Sequence, residues 1–364
     1  MKSSLRIVGL LAISAAVVVS ALVVGCQDKG GSSSGSSSGA EPIVWYGMMP
    51  HPYITEVQQG AEACEKDNNV KILKVVGQEW TQDNENSNIR ALSTKNHKAF
   101  SIYPGDPAGS KGLFNQLKDH GQIVVAYGAE PDLPTPAVFT VATDIKGAAM
   151  VAAEELIKMM GDKGNILNVL ETVTDINTKK RDDGIKEVVA KHPNVKIIQT
   201  ISDMTQESVA KEKIQSALAA RGAEIDGIIT TGYNPTIASA AILTEWHKDP
   251  GHKRIRYIGI DTGPTVIKAI REGYIDATVA QNPFGHGYIS TTILKMMLDG
   301  WKPAKDYQFV NAGIVVVTKA NVDTYQQEVK KITDGIVADL KTKYLTAPAA
   351  AAVTARQPTT QPAK

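Results

Sequence analysis

Short runs of apolar, largely β-branched residues recur along this chain at 43–46, 70–76, 99–103, 123–127, 165–170, 195–201, 227–231, 257–260 and 277–280, with amphipathic helical stretches between them. No other feature restricts the fold so strongly. Most of the runs lack polar alternation, which suits strands covered on both faces of a parallel sheet. A βαβα alternation of this length places helices on both sides of such sheets. Helix starts are marked at Asp106-Pro107, Asn234-Pro235 and Gly263-Pro264, where a cap-type residue precedes a proline. Asp144 is expected to cap a helix reaching Met160, with Ala148, Ala152, Leu156 and Met159 on its apolar face.

This many strands suits two sheets better than one. The strand-like run at 140–144 ends just before a new helix and marks the division. The expected fold is therefore α/β, with two doubly wound parallel-sheet lobes joined by a three-stranded hinge. The crossings are expected near 142–144, 281–283 and 310–312. The amino lobe is expected to hold 41–143 plus 282–310, and the carboxyl lobe 144–281 plus 311–345.

The two ends read differently from the body. Lys2 and Arg6 precede an apolar stretch at 7–24, and Val23-Val24-Gly25-Cys26 then has the form of a lipobox. Residues 1–25 are read as a lipoprotein signal peptide and Cys26 as the lipidated residue, giving a protein of the periplasm or cell envelope anchored to a membrane. The competing reading is an uncleaved membrane helix. Residues 26–40 form a Gly/Ser tether, and 346–364, rich in Ala, Pro, Thr and Gln, are expected to be disordered.

The formal net charge is +1 with both signs interspersed, so no electrostatic footprint for nucleic acid is present. With two cysteines in all and one of them Cys26, a disulfide framework and a cysteine-based metal site are excluded. Cys64 shares a helical stripe with Ile54, Val57 and Ala61 and reads as a small buried hydrophobe.

In doubly wound folds ligands sit beyond the carboxyl ends of the strands, which directs attention to the segments just after each run. These contain His51 and Tyr53, Glu130, Asn177 and Arg181, Asn234, Asp261, and Gln281, all expected to contact ligand. Amides, a guanidinium, a carboxylate and an aromatic ring suit a sugar: planar polar groups grip adjacent hydroxyls bidentately, and the ring packs on the sugar's apolar face. Asn177 and Arg181 lie one helical turn apart and share a face. Plainer readings stand beside these. Asp261 and Asn234 also suit helix caps, Arg181 a solvated charge, and His51 a turn between prolines; Trp80 is read as structural, and Met204 suits apolar contact or packing.

From about Glu41 to Tyr344 the order of motifs resembles the type I periplasmic sugar-binding proteins of ABC importers, the ribose-binding branch in particular. Arg181-x-x-Gly184, Asn234 with Ala238, Ile258-Gly259-Ile260-Asp261 and Ala280-Gln281-Asn282-Pro283 carry the likeness. The resemblance implies that Arg181, Asn234, Asp261 and Gln281 contact a sugar, that the fold is the type I periplasmic binding protein, and that a membrane permease is the partner. It also breaks. His51-Pro52-Tyr53-Ile54 stands where the family has Asn-Pro-Phe-Phe, and Gly128-Ala129-Glu130 where the ribose branch has Asp-Arg, so ribose itself is not the expected ligand.

An enzyme reading has little to rest on. Gly-x-Ser-x-Gly occurs only within the Gly/Ser tether at 31–39 and never after a strand-like run, and no Gly-x-Gly-x-x-Gly loop or His-x-x-x-His pair is present. Only Asp261 and Glu130 offer themselves as paired carboxylates for glycoside chemistry. A monomer without cofactor, capturing a sugar or polyol for an ABC permease, is expected. The alternatives are the same fold feeding a membrane sensor or chemoreceptor, and a lipid-anchored carbohydrate-active enzyme.

Overall fold

The computed structural model describes residues 43–95 and 97–348. The signal peptide, Cys26, the tether and most of the expected tail lie outside the described residues. In the first lobe β1 (Ile43–Gly47), α1 (Pro52–Asp67), β2 (Ile72–Val76), α2 (Gln82–Ser93), β3 (Ala99–Ile102), α3 (Ser110–Asp119), β4 (Ile123–Tyr127) and β5 (Phe139–Ala142) follow one another. The second lobe continues with α4 (Ile145–Met160), β6 (Gly164–Leu170), α5 (Ile176–Val189), β7 (Val195–Ile201), α6 (Glu207–Arg221), β8 (Gly227–Thr231), α7 (Tyr233–Trp246), β9 (Arg256–Ile260), α8 (Pro264–Glu272) and β10 (Ala277–Ala280). The chain then runs through α9 (Pro283–Leu298), β11 (Lys302–Pro303), β12 (Gln308–Asn311), β13 (Val315–Thr318), α10 (Tyr325–Asp339) and β14 (Leu345–Thr346).

Two six-stranded sheets result, ordered β12-β5-β4-β3-β1-β2 and β13-β10-β9-β8-β6-β7. All pairings within them are parallel except β10 with β13. Burial follows strand position. β1, β3, β5, β8 and β10 are buried throughout, whereas the edge strands β2 and β7 are partly open to solvent. The first sheet has one core around Trp45, Phe100 and Tyr127. The second buries separate cores on its two faces, around Tyr257 and Leu243 and around Leu156 and Ile258.

Helix starts follow local chemistry. Asp144 caps α4, its Oδ1 accepting from the Gly147 N–H at 3.0 Å, and Pro264 opens α8 behind Gly263. Asp106-Pro107 makes a turn instead of a helix start, Asp106 accepting from the Gly109 N–H while α3 begins at Ser110. Asn234 lies inside α7, whose N-cap is Gly232.

The chain passes between sheets at 143–144, 281–282 and 312–314. A fourth passage was not expected. On α10 (Tyr325–Asp339), Tyr325, Val329 and Ile332 pack on the second lobe, while Ile336 and Val337, followed beyond the helix by Leu340 and Leu345, pack on the first. Residues 336–345 therefore return to the amino lobe, and Thr346, expected in the tail, pairs with Lys302.

Helices α1 and α9 pack tightly enough to fix the start of α1 at the cleft. A Cβ on Gly287 would lie 1.9 Å from the Val57 carbonyl oxygen, so only glycine permits the approach.

Candidate ligand cavity

Doubly wound sheets open a crevice at their carboxyl edges, and here the edges of both sheets face one cavity of about 540 Å³. That volume suits a small ligand. The first lobe lines it with His51 and Tyr53 after β1, Trp80 after β2, Tyr103 after β3 and Gly128 after β4. The second lobe contributes Glu171, Asp175, Asn177 and Arg181 after β6, Tyr233 after β8, Asp261 after β9 and Gln281 after β10. Six of the residues expected to contact ligand thus meet here: His51, Tyr53, Asn177, Arg181, Asp261 and Gln281.

His51 is both turn residue and cavity wall. Its Nδ1 accepts from the Tyr53 N–H at 3.2 Å, capping α1, and its ring meets Trp80 edge-on at 5.8 Å and Tyr233 of the other lobe at 5.7 Å. Burial lowers its pKa, against the pull of Asp261, so the ring stays neutral. The Tyr53 hydroxyl lies 2.8 Å from Nδ1 of His286, a fully enclosed imidazole that burial pushes down to about 3.

Asn177 and Arg181 share the inner face of α5 and are both buried. Arg181 is 5% exposed, and its Nε has no hydrogen-bond partner. The guanidinium lines the cavity as a strong, charge-assisted donor. Asp261 adopts φ of +80° and is not a helix cap, since Gly263 holds that position. Gln281 donates from Nε2 to Asp261 Oδ1 at 2.5 Å, and the Asp261 carbonyl accepts from Thr278. An aspartate kept at positive φ by surrounding bonds is the kind of local strain that gathers at binding sites.

Two expected contacts sit elsewhere. Glu130 faces a smaller cavity of about 190 Å³ near the first crossing, where it accepts from the Tyr307 hydroxyl at 2.8 Å and lies 3.6 Å from Lys180. Its side chain turns toward Tyr307 and, across the lobes, Lys180, which supply its hydrogen bond and its opposite charge. Asn234 stands behind Glu171, donating from Nδ2 to Glu171 Oε1 at 3.3 Å and to the Met204 carbonyl at 3.2 Å. Met204 is fully buried in the second lobe's core.

Glu171, Asp175, Tyr103, Tyr233 and Trp80 also line the cavity, with the hydroxyl-bearing Thr172, Thr174 and Thr205. Trp80, read from sequence as structural, is 36% exposed and stands edge-on to Tyr103 at 5.0 Å. Glu171 is pushed up to about 7 by burial first and then by the charge of Asp261, with Arg181 acting against both. Its carboxylate rests on Gly232, where a Cβ would come within 2.0 Å of Oε2, and φ there is +101°. The rule that selected segments after strands points straight at Glu171, the first residue beyond β6.

The family description "Periplasmic binding protein domain" matches residues 45–302. The chain belongs to the periplasmic binding protein family. Among curated relatives of this family member, the xylitol-binding protein of Mycolicibacterium smegmatis is 22% identical over 339 residues, covering 91% of this chain and 92% of its own. The galactofuranose-binding protein YtfQ of Escherichia coli is 24% identical over 267 residues, 71% of this chain and 81% of its own. A solute-binding protein from Burkholderia graminis, solved with D-arabinose, superposes with a TM-score of 0.71 at 20% identity, covering 80% of this chain and 99% of that one. A sugar-binding protein from Bacillus halodurans gives a TM-score of 0.70 at 21% identity, with 78% and 99% covered. These structures share the type I periplasmic binding protein fold with this chain. Among the described residues, no helix is long and apolar enough to cross a membrane.

Proposed function

We propose that this periplasmic binding protein captures a sugar or sugar-like polyol between its lobes and delivers it to the permease of an ABC importer, held to a membrane by lipid on Cys26. The observation that carries the reading is the convergence of Arg181, Asn177, Asp261 and Gln281 with the aromatic rings of Tyr53 and Trp80 on one cavity. Planar polar groups bind hydroxyls in pairs, and aromatic faces take the C–H side of a sugar. The names of the curated relatives point to the same ligand class.

Contacts from both lobes make ligand favour the closed arrangement over an open one by the difference in contact free energy. No bond is made or broken in this cycle. Delivery follows from the closed surface being the one a permease distinguishes. A thermal-denaturation screen against pentoses, hexoses and alditols tests capture, since a ligand that binds only the native state raises its melting temperature. Stabilisation by one or a few polyols is the expected result; no shift with any of them, at concentrations up to about a hundred times a micromolar Kd, sinks the reading. Labelling of Cys26 by a fatty-acid analogue tests the anchor.

A further inference from the structure

The charges in the cavity do not balance. Among the described residues that line it, Arg181 is the sole cation, His51 being neutral, against the carboxylates of Glu171, Asp175 and Asp261. Asp175 is exposed and already occupied, its Oδ1 accepting from the Asn177 N–H at 3.0 Å and its Oδ2 from the Thr178 hydroxyl at 3.4 Å. Glu171 and Asp261 are different. Among the described residues neither has a cation within ion-pair distance, and the side chains that hold them, Asn234 and Gln281, are neutral amides. The negative field of Asp261 reaches His51, Tyr53, Glu56, Glu171 and Tyr233. Arg181, though 5% exposed, does not pair with either carboxylate and leaves Nε without a partner.

A partly buried carboxylate is costly unless a positive charge and hydrogen bonds compensate it, and that cost lifts Glu171 to about 7, so an ammonium group beside it would hold it ionised. Hydroxyl groups supply hydrogen bonds only. A protonated amine supplies both, and the aromatic residues Trp80, Tyr103 and Tyr233 line the same space, where a ring face attracts cations. Arg181, which has donors and no acceptor, requires oxygen atoms on the same molecule.

We propose that the ligand is a polyhydroxylated amine, whose hydroxyl oxygens accept from Arg181 and whose ammonium group lies between Glu171 and Asp261. This rests on the reading of the chain as a polyol-binding protein and narrows it. The ion pair forms in a partly enclosed site and weakens as salt rises.

The test is calorimetric titration of the full chain at neutral pH with matched pairs. Xylitol, D-glucitol and D-galactitol are each compared with the amine in which one terminal hydroxyl is replaced by an ammonium group. The expected result is that at least one amine binds about tenfold or more tightly than its hydroxyl partner. That preference should shrink towards unity in Asp261→Asn and in Glu171→Gln, which keep shape and remove charge; asparagine also tolerates the positive φ at 261. If alditols bind and their amines bind no better in every pair, the proposal is overturned while polyol capture stands. Absence of binding by every member of every pair overturns both. A preference for amines that survives unchanged in both variants also overturns it, because the carboxylates would then not be its source.

Discussion

Gln281 and Asp261 are joined by a 2.5 Å hydrogen bond from amide to carboxylate, so the second crossing segment and the segment after β9 act as one unit at the cavity wall. The bond leaves the other carboxylate oxygen of Asp261 for ligand. Asp261→Ala removes a charged acceptor and frees the Gln281 amide together. Loss of one partner of an enclosed charged hydrogen bond costs about 2–5 kcal/mol, so ligand affinity should fall by tens-fold or more, with the melting temperature of the free protein less affected. Gln281→Ala, which removes only the support, should cost less than Asp261→Ala by calorimetry; a larger loss would contradict this assignment.

The only side-chain ion pair described between the lobes at the cavity rim is Lys180 with Glu130, at 3.6 Å. Both groups are substantially exposed, and such pairs are worth about 1 kcal/mol or less. Lys180→Ala should therefore weaken binding no more than about fivefold, and should do so through faster dissociation. Stopped-flow release of ligand checks this, and a large change in association rate would argue against a role in closure.

Glu85 lies beneath the cavity floor, fully buried, and accepts from the Gly105 N–H at 2.6 Å and the Ser110 hydroxyl at 3.4 Å. Burial pushes its pKa from 4.5 up to about 7. Because the folded value exceeds the unfolded one, the stabilisation is fully present below the unfolded pKa and is lost as pH climbs through the folded one. The stability of the wild type relative to Glu85→Gln should therefore decline between those two values and level off above, by at most about 3 kcal/mol. Denaturant melts of both proteins across this range measure it. A difference that stays constant with pH would contradict the buried, proton-linked state.

Trp80 is the one tryptophan that lines the cavity; Trp45 is fully buried in the first core, and Trp246 and Trp301 pack elsewhere. Ligand binding should change the intrinsic fluorescence, and Trp80→Phe should remove most of that change. A signal that persists in Trp80→Phe would mean that the ligand does not reach this wall.

Much of this was legible in the sequence for physical reasons. Strands covered on both faces show as unbroken apolar runs, and residues just past them must border the crevice, which selects His51, Tyr53, Arg181, Asp261 and Gln281. Glu171 obeys the same rule, but in the sequence it stands beside several polar residues further along the segment, and nothing local distinguishes it from them. Trp80 reads as structural from sequence but lines the cavity, because its ring packs edge-on to Tyr103, a neighbour distant in sequence. Distant partners also place Glu130, drawn outward by Tyr307, and Asn234, whose amide is taken by Glu171 and Met204. The return of α10 to the first lobe depends on where its two ends meet apolar partners, and a helical period does not reveal that.

The central claim is that one ligand is gripped by both lobes at once. Calorimetric titration of the best polyol from the screen into wild type, Tyr53→Ala of the first lobe and Arg181→Ala of the second tests it most directly. Both variants should bind tens-fold or more weakly. Unchanged affinity in either one would place the ligand on a single lobe and contradict the account.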